Sequence, residues 1–190
     1  HFFSVQEVKK MLDVMAIYKL NKFHFHLTED QGWRWEVKKY PKLTKVGAVA
    51  SNTYVTSMEH GAYWTNQQYG PYFYTSEDLK EIVAYAAAKH IEVIPEIDMP
   101  GHFSAAMAAY PEFSCNPDGV HRVETWGGVF TDVLNVANPK AVRFVKDILD
   151  ELMAIFPSKN VHIGGDECPT TAWENNAECQ AMYKKLNLTS

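Results

Sequence analysis

Three cysteines, Cys115, Cys168 and Cys179, are too few and too irregularly spaced for a disulfide framework. No C-x-x-C pair points to zinc or redox chemistry. Long apolar runs are also missing: the longest is a few residues, against the ~20 that a membrane span needs. His1 to Ser4 show no charged-then-apolar leader pattern, so no membrane partner is expected. A basic tract is absent, and 18 Lys plus Arg against 23 Asp plus Glu leave a net charge of -5, which argues against a nucleic-acid partner. What is present is an ordinary globular composition, 46% hydrophobic and 22% charged, in 190 residues. That length suits one domain and predicts no second one. Five Trp, 10 Tyr and 10 Phe form a rich aromatic supply, which favours a flat, stackable ligand such as a sugar ring.

Ser4 with Glu7 makes a capping box, and Val5, Val8, Leu12 and Met15 follow at helical spacing, predicting a helix over 4–20. Lys22 to Thr28 is β-prone and runs into the polar loop Glu29, Asp30, Gln31, Gly32, Trp33. Residues 41–75 show little periodicity and read as a long functional loop. A second helix starts at Thr75 to Asp78 and ends near His90, and a strand over Ile91 to Ile97 stops at Asp98-Met99-Pro100-Gly101-His102. Asn138 and Pro139 open a third helix that Pro157 ends. A strand over Asn160 to Gly164 leads into Gly165-Asp166-Glu167, and Thr171 with Glu174 caps a last helix to about Leu186.

This alternation predicts a parallel α/β fold with no antiparallel hairpin. The polar residues gather where the strands end, as in barrels and open sheets that bind ligands at the carboxyl rim. Three strands cannot close a barrel, so the chain is expected to form part of a larger domain. A (β/α)₈ TIM barrel takes ~250 residues, of which about half is expected here.

Asp166 and Glu167 are adjacent carboxylates that follow two glycines at a strand end. In a partly dry site two such groups cannot both ionise cheaply, so one pKa rises and that group serves as an acid. His102, after a Pro-Gly turn, reads as a residue that orients or polarises a carboxyl group. A rival reading gathers His24, His26, Asp98, His102 and His162 into a metal cage; packed interior histidines are commoner than ligands, and no metal is expected. Trp33, Trp35, Trp64 and Trp126 are candidates for stacking on sugars.

Four segments together resemble glycoside hydrolase family 20, the β-N-acetylhexosaminidases. They are H-F-F-S at 1–4, N-K-F-H-F-H-L-T-E-D-Q-G-W-R at 21–34, V-I-P-E-I-D-M-P-G-H at 93–102 and V-H-I-G-G-D-E at 161–167. The resemblance implies a (β/α)₈ barrel with the second, third and fourth strands present, together with the first four helices. It implies removal of terminal β-linked N-acetylhexosamine by substrate-assisted retaining catalysis, without a cofactor. Glu167 then stands as the general acid/base and Asp166 as the residue that holds the 2-acetamido group. His102, Glu29, Asp98 and Trp126 stand as substrate-binding positions, with Glu29 where the family more usually has Asp. The family's arginine just before His1 and the groups of later strands lie outside this sequence, so the 190-residue piece alone is expected to be inactive. Family membership suggests a secreted, periplasmic or lysosomal place. Two alternatives stay open: a non-catalytic sugar-binding remnant of the scaffold, and a metal-dependent barrel hydrolase. The glycosylation sequon Asn187-Leu188-Thr189 occurs often by chance and adds nothing on secretion.

Overall fold

The computed structural model describes residues 1–57 and 61–188, so the sequon's Thr189 lies outside the described residues. The chain begins with α1 (Val5–Ile17), β1 (Lys22–His26) and the short pair β2 (Thr28–Glu29) and β3 (Gly32–Trp33). A one-turn α2 (Lys42–Lys45) leads to β4 (Tyr54–Ser57) and β5 (Gly61–Trp64). Then come α3 (Ser76–Ala87), β6 (Glu92–Glu96) and α4 (Ser104–Ala109), with a 3₁₀ turn over Pro111–Phe113. The long α5 (Pro139–Ile155) and the short α6 (Thr171–Glu174) and α7 (Ala177–Lys185) complete the order.

β1 and β6 pair in parallel from Lys22↔Glu92 to His26↔Glu96, so the predicted parallel core is present. The segment at 160–164 lies beside β6 but makes only one bridge, Glu96↔His162. The reason is local: Gly164 and Gly165 take φ of +67° and +105° and carry the chain off the sheet at once. Among the described residues the array stays open and does not close into a barrel.

Three expectations need correction. The chain does contain antiparallel pairs, β2 with β3 and β4 with β5, and the latter falls inside the stretch read as an irregular loop. Gly61, at φ +70°, begins β5, while Tyr54 and Val55 on β4 and Tyr63 and Trp64 on β5 supply the β propensity. The last helix is two helices, because Asn176 caps α7 by accepting from the Cys179 amide, and the expected Thr171 cap is not formed. Finally, α4 has no counterpart in the prediction. Its sequence, S-A-A-M-A-A, is short and so small-residued that no polar stripe marks it as a helix, and all but one of its residues are buried.

Helices pack on one side of the parallel pair. The Ser4–Glu7 box starts α1, which buries Val8, Leu12 and Met15. Next to α3, α5 buries Phe144, Ile148 and Leu152, and Tyr40 and Phe113 each pack on Phe144 with ring centroids 4.6 Å apart. Trp33 and Trp35 are fully buried. Trp33 Nε1 donates to the Trp35 carbonyl at 2.7 Å, so both indoles are core and neither is open to a sugar.

Asp147 on α5 fastens the 38–40 segment to this helix. Its carboxylate accepts from Lys39 Nζ (2.5 Å), Tyr40 Oη (2.7 Å) and Arg143 Nε (3.0 Å). These bonds, Lys39 foremost and then Tyr40, pull its pKa down to about 2. A depressed carboxylate contributes stability above its ordinary value of 3.8, and that contribution is lost as pH falls toward about 2. We therefore expect Asp147→Asn to melt at a lower temperature near neutrality and to show a shallower loss of Tm across this acid window. Thermal melts from pH 7 to 2 check it; identical profiles for the two proteins would contradict the assignment.

Candidate active site

The hairpin of β2 and β3 presents Glu29 and Asp30 at the carboxyl end of β1. Thr28 Oγ1 accepts from the Asp98 amide at 3.1 Å, which ties that hairpin to the end of β6. Beyond β6 the Pro100-Gly101 turn delivers His102 beside Asp30. There Asp30, with 0% of its surface exposed, meets three donors. Its Oδ1 accepts from the Ser104 amide (2.9 Å) and hydroxyl (2.5 Å), and its Oδ2 lies 2.9 Å from His102 Nδ1. A carboxylate accepts only, so the Nδ1 position carries the proton and Nε2 faces outward. His102 Nε2 then lies 3.3 Å from Glu167 Oε2.

Burial opposes a charge on His102, but the Asp30 hydrogen bond and the charges of Glu29, Asp30 and Asp98 outweigh it and raise the imidazole pKa. Burial raises Glu29 as well. Glu29 turns back on its neighbour: Oε2 accepts the Asp30 amide at 2.6 Å, and Oε1 stands 3.3 Å from His102 Nδ1. Its extra methylene is thereby accounted for. Asp30, not Glu29, holds the histidine most closely.

Asp98 is also enclosed, at 1% exposure, and its Oδ1 accepts the Gly165 amide at 3.2 Å. A Cβ on Gly164 would sit 1.7 Å from that same oxygen, so only glycine lets the turn approach. Burial first, then the charge of Asp166 among others, pushes the Asp98 pKa up. Ligand atoms of Asp98, His102 and Asp166 lie within 4.8 Å of one another. Asp166, Glu167, His102 and Asp98 are thus brought together, with Glu29 at the edge.

The dry surroundings expected around the carboxylate pair are not supplied by the described residues. Asp166 is exposed, and the Glu167 side chain is 61% accessible. Trp126 is set apart from them. It is half-exposed, takes a hydrogen bond from Gln31 Nε2 on its carbonyl (3.0 Å), and borders a cavity of about 190 Å³ with Arg34, Asn52, Tyr54 and Tyr69. Its link to the site runs through Glu124, whose amide donates to the Asp30 carbonyl at 2.9 Å.

His24, His26 and His162 surround Glu96, a residue that sequence reasoning passed over. His24 Nε2 and His26 Nδ1 lie 2.5 and 3.0 Å from Glu96 Oε2, and His162 Nδ1 lies 2.9 Å from Oε1. These are hydrogen-bond separations; ligands on a zinc with bonds of ~2.0–2.1 Å stand roughly 3.3 Å apart. Period-two alternation was the available signal, since it puts Glu96 and Asp98 on one side of a strand just as it does His24 and His26. Ser104 carried no signal, and Asp30 stood in plain view beside Glu29.

Replacing Asp30 by Asn removes the largest influence that raises His102. The imidazole should then titrate at lower pH than in the unsubstituted protein, as read from its ring protons by NMR. An unmoved titration would show that the Asp30 contact is not what holds the charge.

Comparison with known proteins relates the whole chain to one family. The model of glycosyl hydrolase family 20, catalytic domain, matches residues 1–190. A β-hexosaminidase of Porphyromonas gingivalis is 46% identical over 188 residues, covering 99% of this chain and 22% of its own length. Among solved structures, a crystal structure of a β-N-acetylhexosaminidase superposes with a TM-score of 0.91 at 40% identity, over 100% of this chain and 38% of that one. A Vibrio harveyi exo β-N-acetylglucosaminidase in complex with N-acetylglucosamine gives 0.80 at 35% identity, over 100% and 29%. The chain therefore spans about a fifth to two fifths of the length of these relatives, and it belongs to glycosyl hydrolase family 20.

Proposed function

We propose that this chain carries the acid/base half of a retaining exo-acting hexosaminidase site, and that its β1, β6 and 161–163 segments are the second, third and fourth strands of a (β/α)₈ barrel. The observation that carries the reading is the line Asp30–His102–Glu167, with Asp166 immediately before the last member. The named relatives are β-hexosaminidases, and one was solved with N-acetylglucosamine bound. The substrate proposed here is a terminal β-linked N-acetylhexosamine of a glycan or chito-oligosaccharide.

Glu167 is the proton donor to the glycosidic oxygen. Asp30 fixes the proton on His102 Nδ1, so Nε2 exchanges a proton with Glu167: imidazolium and carboxylate on one side, imidazole and carboxylic acid on the other. As the leaving group departs with that proton, the carbonyl oxygen of the substrate's own 2-acetamido group attacks the anomeric carbon. Asp166 orients the amide and stabilises its developing positive charge. Glu167 then takes a proton from water, which opens the oxazolinium ring and returns the β-configured sugar. Adjacent carboxylates suit this route, since two that flank a bond as acid and nucleophile stand ~5–5.5 Å apart on opposite sides, and substrate-assisted families are the exception. Asp98 acts beneath the turn through Gly165, Glu29 steadies the Asp30 loop, and Trp126 offers an aromatic face at the rim.

In the full-length protein, Glu167→Gln should lower kcat on natural glycans by roughly 10²- to 10⁴-fold, and less on substrates whose leaving group needs no proton. β-Glucosides lacking the acetamido group should not be cleaved. Side-by-side assays on chromogenic GlcNAc and glucose substrates check both, and efficient glucoside hydrolysis, or a glycosyl ester trapped on Asp166 or Glu167, would sink the mechanism. Sugar binding without turnover would instead favour a non-catalytic remnant.

A further inference from the structure

The turn that bears Asp166 and Glu167 has two side-chain attachments. Asp98 Oδ1 accepts the Gly165 amide at 3.2 Å, and His162 Nδ1 lies 3.0 Å from the Gly164 amide nitrogen. The second contact spans i to i+2, the reach by which an Asn side chain makes an Asx turn. Among the described residues the Gly164 N–H has no other acceptor.

The same Nδ1 also stands 2.9 Å from Glu96 Oε1. One ring nitrogen cannot satisfy both neighbours, since the Gly164 amide needs a lone pair and a carboxylate needs a proton. Glu96 draws other donors from β1: His24 Nε2 and His26 Nδ1 both approach its Oε2. The His24 ring packs against that of His162 with centroids 4.7 Å apart, which fixes the ring plane. His24 and His26 serve Glu96, His24 packs against the His162 imidazole, and the lone pair of His162 Nδ1 is left for the turn.

We propose that His162 is a positioning residue: its Nδ1, on a ring packed against His24, tethers the Gly164 amide and so aims the Asp166-Glu167 pair. The proposal rests on Glu167 being the acid. Losing the tether leaves Asp98, among the described residues, as the only side chain hydrogen-bonded to the turn's backbone amides, and a small misplacement of the acid costs turnover more than it costs binding.

The test compares His162→Asn and His162→Leu in the full-length protein. They share the same branched heavy-atom skeleton, but only Asn keeps an acceptor at the i to i+2 reach. Hydrogen exchange at the Gly164 and Gly165 amides should speed up on the order of tenfold in the leucine protein and stay within about threefold in the asparagine protein. For the leucine protein kcat should fall on the order of tenfold with KM within about threefold, while Asn restores most of kcat. His162→Ala, which removes the acceptor without adding bulk, replaces Leu if that protein does not fold. Equal behaviour of the acceptor-bearing and acceptor-less variants, in exchange and in kcat, overturns the tether. Should the unsubstituted protein fail to hydrolyse the GlcNAc substrate, the glycosidase reading falls by itself, and the exchange comparison still decides the role of His162.

Discussion

The buried hydrogen bond between Asp30 and His102 is the joint on which the site is built. A carboxylate withdrawn from water costs several kcal/mol unless donors surround it. Here the donors come from a different part of the chain, Ser104 and His102, both lying beyond β6. Satisfying Asp30 therefore forces the β2–β3 hairpin and the Pro100-Gly101 turn into register. It also fixes the histidine tautomer, so that the remaining ring nitrogen faces Glu167. Fold stability and the proposed proton chemistry meet in one contact.

The same logic repeats along β6. Glu96, Asp98 and Asp30 are all buried carboxylates, exposed to 4%, 1% and 0%, yet none is paired with a Lys or Arg among the described ion pairs. Imidazoles and backbone amides take that place. Such partners are short, directional and shape-specific, so the buried charges define where loops sit instead of merely neutralising one another. Asp98 reaches the 162–165 segment through the Gly165 amide, while Glu96 is served from β1 by His24 and His26.

Much of this was legible in the sequence where a local rule had a single solution. The Ser4–Glu7 and Thr75 caps, the Asn138-Pro139 start and the glycines before Asp166 each dictate one conformation, and the structure adopts it. What escaped depends on partners distant in sequence. Asp30 and Glu29 are chemically alike, and only the position of His102, 72 residues from Asp30, decides which one holds the ring. Trp33, Trp35 and Trp126 are one residue type with opposite fates, because burial is a property of packing and not of the tryptophan. Residues 54–64 and α4 were missed for a related reason, since neither shows the amphipathic period that marks a half-buried element.

Glu167 sits at φ +45° and His102 at φ +47°, a region where a side chain is disfavoured relative to glycine. The proposed proton relay is thus assembled from two residues whose backbones would relax if their side chains were lost. Where selection for turnover is relaxed, conformational preference and chemistry pull in opposite directions at these two positions. A descendant freed from the proposed reaction would drift toward glycine there, keeping the scaffold and discarding the proposed acid and its partner.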